Sequence, residues 1–519
     1  MKRRKFLKYA TASLATPFLF QGQWISAMTN RSVLDVLSSY NPDRKLVLIQ
    51  LDGGNDGLNM LIPISEYDNL ANARRNILVE KAQILKLNDE TGLNPAMPEL
   101  TQLYKDGKVQ FIQGVGYPSP NLSHFRSKDI LNSASDSKTI LSTGWAGRMF
   151  TNQYPDYPVG FPNVKQPHPI ALTVGSNSSS VCQGDLANYS AVLANLSSSY
   201  SNSFPNGTYP ETPFGKELKF INTMMEQTES YLAVIKEAAS KAKNLSTLYP
   251  ATGQNGLADK LKLVANLIAG GLQTQIYVVS LGGWDLHSSA VTSEANKLTG
   301  QHPNLLSKLS KAITAFEDDL RLLNKADEVL GFVYTEFGRR IKSNDSLGTD
   351  HGTTWPAIVF GSKINPGIIG NNPTIPALVT KSDNLALQND FRSIYTGFYK
   401  QWFGLDDLET SQLLGRSFPE IQVTDKSTSA SPVAASGELL KLWPNPLEDQ
   451  AQLEFNSNGE TIRIRIYSMT GQLVENHLQQ RFPEGKQQIQ LRLGHLTIGT
   501  YLLTLDQKDI RQSVKFMVK

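Results

Sequence analysis

The sequence predicts a layered α/β domain with a largely parallel sheet, followed by a small antiparallel β-sandwich. Three observations predict it: continuous apolar runs of strand length, long amphipathic segments between them, and a change to short alternating runs near the C-terminus.

The runs are "KLVLIQL" (45–51), "VQFIQGV" (109–115), "IALTV" (170–174), "QIYVVSL" (275–281), "EVLGFVYT" (328–335) and "AIVFG" (357–361). A strand with one face in water alternates apolar and polar residues, so unbroken runs mark strands covered on both faces, as in parallel sheets. "GKELKFINTMMEQTESYLAVIKEAASKAKNL", "LADKLKLVANLIAGGLQT" and "LLSKLSKAITAFEDDLRLLNKA" place apolar residues at helical spacing and supply the covering helices. At "TDKSTSASPVAASG" Ser, Thr, Ala and Pro replace that periodicity, which marks a linker. Beyond it, "TIRIRIYSMTGQLVENHLQ" alternates Ile462, Ile464 and Ile466 with polar residues, and "QQIQLRL", "TYLLTL" and "VKFMVK" come next with turn residues between them. The expected organisation is a leader at 1–27, an α/β domain at 43–423, a linker at 424–437 and a β-sandwich at 438–519.

Apolar content of 40% and charged content of 19% over 519 residues fit a globular protein of at least two domains and exclude a disordered chain or a membrane bundle. Residues 1–27 hold Lys2, Arg3, Arg4, Lys5 and Lys8 and no acid, so their removal takes the net charge from +3 to −2. Near neutrality there is no electrostatic case for nucleic acid. Cys182 stands alone, which excludes an internal disulfide and a cysteine-built zinc site; a buried, inert thiol is expected.

"MKRRKFLKYATASLATPFLF" joins a basic cluster to a short, weakly apolar stretch, with a small-residue cleavage site ending at Ala27. It is too short and polar to remain as a membrane span, and no transmembrane segment is expected in the mature chain. The order Arg3-Arg4-Lys5-Phe6-Leu7-Lys8 resembles the twin-arginine export signal, which carries folded proteins across the bacterial inner membrane.

Open α/β sheets bind ligands at the carboxyl ends of their strands. There, Asp52 ends the first run, Asp285 and His287 come after "QIYVVSL", and Glu336 comes after "EVLGFVYT" with Arg339 close by. "GTDHG" (348–352), in a polar stretch read as a loop, places Asp350 and His351 ahead of the run at 357. Imidazole nitrogen mixed with carboxylate oxygen suits zinc, manganese or iron better than calcium. The competing account is that these acids cap helices and tighten turns, with Glu336 paired to Arg339 or Arg340. "VQFIQGVGYPSPNLSHFRSKDILNSA" leads from a strand into a helix starting near Ser123. A hydroxyl there lies in the positive field of a helix N-terminus, so Ser123 and His124 are catalytic candidates, and Arg126 could clamp phosphate or sulfate oxygens. Helix capping by Ser123 or Asn121 is the alternative.

Taken in order, "LVLIQLDGGNDGLNMLIP", "NLSHFRS", "TGWAGR", "GGWDLH", "TEFGRR" and "GTDHG" closely resemble the bacterial domain-of-unknown-function family 1501, a relative of the alkaline phosphatase and sulfatase superfamily, over residues 43–418. The resemblance implies an alkaline phosphatase-like fold. It implies Asp52 as the first-strand metal aspartate, Ser123 at the nucleophile position, Asp285 with His287 as one ligand pair and Asp350 with His351 as another. The late metal histidine of that superfamily has no counterpart, because the only histidines after His351 are His477 and His495 in the β-module; "NDFRSIY" offers Asp390 and Arg392 instead. "WPNP", "IYSMTGQLV", "GTYLLTL" and the basic last strand resemble the type A sorting domain of type IX secretion.

The function expected from these readings is an exported hydrolase of phosphate or sulfate esters. Asp52, Asp285, His287, Asp350 and His351 would bind one or two divalent ions (zinc, manganese or iron), Ser123 would attack, Arg126 would stabilise the oxyanion, and Glu336 or His124 would handle protons. Its expected route is the periplasm and then the outer-membrane surface or the medium, with the secretion machinery as partner at both ends and a small-molecule or polymer ester as substrate. The alternative is a non-catalytic, metal-containing cell-surface binding protein.

Overall fold

The computed structural model describes residues 18–20, 23–25, 43–194, 196, 209–425, 440–457, 459, 461–468, 473–507 and 510–519. The twin-arginine stretch of the expected leader and nearly all of the expected linker lie outside them. Within residues 1–27, Phe18–Phe20 pairs antiparallel with Gln23–Ile25.

One compact unit spans Asn41–Ala430. Eleven of its strands are β1 (Lys45–Asp52), β2 (Val109–Gly116), β3 (Ala171–Val174), β4 (Ser190–Leu193), β5 (Ile276–Gly282), β6 (Val329–Thr335), β7 (Gly338–Ser343), β8 (Thr349–Gly352), β9 (Trp355–Phe360), β10 (Gly367–Ile369) and β11 (Asn389–Asp390). Seven of its helices are α1 (Pro98–Lys105), α2 (His124–Ser133), α3 (Trp145–Gln153), α4 (Pro213–Lys241), α5 (Gly256–Ala269), α6 (Gln301–Leu322) and α7 (Phe391–Gly397). All six expected strands and all three expected helices form. The nine-stranded sheet runs β10-β2-β9-β6-β1-β5-β3-β4, with β11 on β2. Every pairing is parallel except those of β9, which lies antiparallel to both β6 and β2.

The unbroken apolar runs are explained by the layers packed on each face. On β1, Val47, Ile49 and Leu51 pack with Leu261 and Val264 of α5 and Leu309 and Phe316 of α6, whereas Leu46 and Leu48 pack with Ile130 of α2, Trp145 of α3 and Tyr395 of α7. Side chains alternate across a strand, so helices on both faces require apolar residues at every position. Burial of each is worth about 1.5–3 kcal/mol. Local chemistry sets where the helices begin: Thr212 accepts from Gly215 N ahead of Pro213 on α4, and Asn255 accepts from Leu257 N and Ala258 N on α5.

The second unit includes Ser431–Lys519. Here β12 (Lys441–Trp443), β13 (Gln450–Ser457) and β16 (Gly485–Arg492) form one antiparallel sheet. β14 (Thr461–Ser468), β15 (Leu473–Arg481), β17 (Gly499–Gln507) and β18 (Ile510–Val518) form another. Both sheets bury alternate residues in one core, Leu453 and Phe455 from the first and Ile462, Ile464, Ile466 and Leu503 from the second. Among the described residues no helix is long and apolar enough to cross a membrane.

Candidate metal centre

Three neighbouring parallel strands, β6, β1 and β5, open their carboxyl ends on one edge of the sheet, and the segments leaving those ends build the site. After β1 the chain turns at Gly53, whose φ is +126°; a Cβ there would come within 2.3 Å of Asp285 N, so glycine alone lets the two strand ends touch. After β5 come Trp284, Asp285 and His287, and Trp284 N donates to Asp52 O at 3.1 Å. After β6 come Glu336 and the β7–β8 hairpin, in which Arg339 lies opposite His351. "GTDHG" is thus mostly strand, a correction to its reading as loop. Its first glycine has a close-packing role, since a Cβ on Gly348 would come 2.3 Å from the carbonyl carbon of His287. The loop after β2 delivers Leu122, Ser123 and His124 to the same edge.

Three imidazoles surround the Asp285 carboxylate, each with Nδ1 committed to an acceptor and Nε2 directed at that carboxylate. His124 Nδ1 meets Glu336 Oε1 at 2.8 Å and its Nε2 lies 3.3 Å from Asp285 Oδ2. His287 Nδ1 meets Asp350 Oδ1 at 3.1 Å, and its Nε2 lies 3.2 Å from Asp285 Oδ1. His351 Nδ1 meets the Leu122 carbonyl at 2.9 Å, and its Nε2 lies 3.1 Å from Asp285 Oδ1. The His287 and His351 Nε2 atoms are 3.0 Å apart. Acceptors at all three Nδ1 atoms assign the protons there, which leaves three Nε2 lone pairs facing one carboxylate. Such a set is mutually repulsive unless a proton or a cation sits among it. The separations also match donors sharing one ion at about 2.0–2.2 Å, and an acceptor behind each imidazole is the usual outer layer of a metal site. His124, Asp285 and His351 have ligand atoms all within 4.8 Å of one another.

Arg339 organises the centre from beneath. Its buried guanidinium donates to Asp285 Oδ1 at 2.8 Å, Gly54 O at 2.7 Å, Thr349 O at 2.7 Å, Trp284 O at 3.1 Å and also to Gly53 O. Burial pushes the Asp285 carboxyl up, but the hydrogen bond and charge of Arg339 outweigh it and hold the group well below the usual carboxylate range. Burial lowers His351, against the opposing pull of Asp285. Phe337 packs its ring 4.8 Å from that of His124 and 4.3 Å from that of His351, fixing both planes.

The structure therefore brings together Asp285, His287 and His351 as expected, and moves other residues to different roles. His124 joins the donor set rather than standing apart as a proton carrier. Asp350 lies behind His287, also accepting from Asn344 Nδ2 at 3.4 Å. Asp52 is not brought in, because its Oδ1 pairs with Lys128 Nζ at 2.8 Å and accepts from Gln50 Nε2 at 2.8 Å. Glu336 is fully buried and accepts from Gly53 N at 2.9 Å and Thr335 Oγ1 at 3.1 Å besides His124; it pairs with neither Arg339 nor Arg340. Arg126 is spent on Asp129 and on the carbonyls of Asp136, Ser137 and Thr139, so it is not free to clamp an oxyanion. Ser123 is exposed, and its hydroxyl does not cap α2. Asp390 caps α7 and is bridged by Arg392 at 2.8 and 2.7 Å, far from a ligand role. Cys182 is buried, and desolvation pushes its thiol up to about 12. Sequence reading missed Arg339 as the organiser; the signal was period-two alternation in "GRRIKS", which sends Arg339 and Arg340 to opposite faces.

Fold and site together define a layered α/β protein with a candidate metal centre at the carboxyl edge of its sheet. Residues 217–413 match the family described as protein of unknown function (DUF1501), and residues 441–519 match the secretion system C-terminal sorting domain. Both are families that the motifs resemble. Asp285, His287, Glu336, Arg339, Asp350 and His351 fall inside the first match, whereas Asp52, Ser123, His124 and Arg126 precede it. Among solved structures, a protein in the alkaline phosphatase superfamily from Vibrio parahaemolyticus is 9% identical with a TM-score of 0.32, covering 92% of this chain and 90% of that one. A phosphonate monoester hydrolase from Silicibacter pomeroyi is 8% identical with a TM-score of 0.30, covering 91% and 89%. The sulfatase PsFucS1 from Pseudoalteromonas sp. is 9% identical with a TM-score of 0.32, covering 88% and 85%. No curated protein matches the chain.

Proposed function

We propose that the protein is an exported, metal-dependent hydrolase of phosphate or sulfate esters. The observation that carries this reading is the convergence of three Nε2 lone pairs on Asp285, each imidazole held from behind by Glu336, Asp350 or the Leu122 carbonyl. His124, Asp285, His287 and His351 would hold one divalent cation, and three imidazoles with one carboxylate suit zinc, manganese or iron. When bound, the cation would neutralise charge developing on the ester oxygens. Ser123 is the nucleophile in this reading: its hydroxyl is exposed at the N-terminus of α2, between Leu122 and His124, both of which reach the donor group. It would attack the central phosphorus or sulfur, its proton ending on the departing alcohol, and water would then cleave the seryl ester to release phosphate or sulfate and restore the hydroxyl. Glu336 keeps the His124 proton on Nδ1, which aims Nε2 at the centre. The match of residues 441–519 to a sorting domain supports export toward the cell surface or the medium, and the basic leader supports passage through the periplasm.

One observation favours a second reading, a non-catalytic metal-containing surface binder: among the described residues no base is hydrogen-bonded to the Ser123 hydroxyl. Elemental analysis of the purified mature chain, paired with turnover of chromogenic phosphate and sulfate esters by wild type and Ser123→Ala, separates them. Hydrolysis lost in Ser123→Ala with metal retained is the expected result. Metal without hydrolysis favours the binder, and a folded protein that takes up no metal overturns both.

A further inference from the structure

Leu122, His287, Asp350 and His351 share the wall of a cleft of about 530 Å³ with Arg340, Lys381 and Ser382. Several cations around the site have a carboxylate: Lys128 has Asp52, Arg339 has Asp285, Arg126 has Asp129, and Lys381 has Asp345 at 3.2 Å. Arg340 has none among the described residues. It comes directly after Arg339 on β7, so it leaves the opposite face of the strand and lines the cleft while Arg339 runs inward. Its Nη1 donates to the Ser382 carbonyl, and Ile341 N donates to Asp383 O at 3.4 Å, which fastens the 380–383 loop along β7. Among the described residues its Nε and Nη2 make no hydrogen bond.

We infer that Arg340 is the oxyanion-binding residue of this cleft, taking the phosphate or sulfate group of the substrate beside the donor set. The inference rests on the metal reading above. A guanidinium tied at one nitrogen is held in a fixed plane, and its remaining N–H groups match two oxygens of a tetrahedral anion. Asp285 and Asp350 would otherwise repel such an anion. With a divalent cation in the donor set their charge is offset, and Arg340 makes the cleft net positive. Arg340 therefore takes the role that sequence reading gave to Arg126.

The test is calorimetric titration of the zinc-loaded mature chain with inorganic phosphate and, separately, with sulfate, on wild type, Arg340→Gln and Arg340→Lys, with zinc content measured on the same samples. Gln removes the charge and shortens the side chain, while the Ile341 N–Asp383 O hydrogen bond still ties the loop to β7. Arg340→Gln is expected to weaken binding by about 10–100-fold, as loss of a hydrogen bond from a charged donor does, with Arg340→Lys in between. Preference for one anion assigns the ester class. An unchanged Kd in Arg340→Gln, or a zinc-replete wild type that binds neither anion, overturns the inference. A protein that holds no zinc but still binds phosphate through Arg340 would sink the metal reading alone.

Discussion

Replacing Arg339 with lysine keeps the charge and destroys the geometry. The guanidinium makes five hydrogen bonds to acceptors on the turn after β1, the stretch after β5 and β8, so one side chain ties together three of the segments that form the centre. An ammonium has three hydrogens, so at least two of the five hydrogen bonds are lost. Each costs about 1–3 kcal/mol, so Arg339→Lys is expected to lose about 2–6 kcal/mol. Against a domain stability on the order of 5–15 kcal/mol, that is a large fraction. The assay is urea unfolding followed by tryptophan fluorescence, because Trp145, Trp284, Trp355 and Trp402 are all fully buried in the α/β unit. Zinc affinity should fall with stability, since Asp285 and the hairpin bearing His351 lose their common anchor. A loss below about 1 kcal/mol with unchanged zinc affinity would refute the reasoning and leave Arg339 an incidental buried cation.

Glu317→Gln tests a buried carboxylate on α6 that has no hydrogen-bond partner among the described residues; burial pushes it up to about 7, against the opposing pull of Lys108. Between the unfolded value near 4.5 and that folded value, the folded state keeps a proton that the unfolded chain releases, so stability falls as pH rises through this window. The variant should gain roughly 2–3 kcal/mol at pH 8 and little at pH 4, and an equal gain at both would trace the effect to packing. Glu336→Gln should weaken zinc binding by about 10–100-fold in a competition titration through loss of the carboxylate behind His124. Lost turnover with zinc affinity intact would instead return Glu336 to a proton-handling role.

Strand order along the chain, the covering helices and the alternating C-terminal module were legible because hydrophobic periodicity is local: "KLVLIQL" announces a strand buried on both faces whatever its neighbours are. The residues after each strand were legible too, since the carboxyl edge of a parallel sheet is where ligands collect. The β7–β8 hairpin was not, because its polar composition hides a register that only the pairing of Arg339 with His351 reveals.

By itself, then, the sequence determined the layered α/β domain, the antiparallel tail and the short list of acids and imidazoles at one edge. Tertiary structure decided their division of labour. Asp52 and Asp285 lie at the ends of neighbouring strands with similar local sequence, yet Lys128 reaches the first and three imidazoles surround the second. Arg126 and Arg340 both stand close to site residues in sequence, yet one is consumed by a loop and the other faces the cleft. Such choices depend on which partners meet across 60 to more than 200 residues of chain, as His287 meets Asp350 and His124 meets Glu336, and no local pattern encodes that.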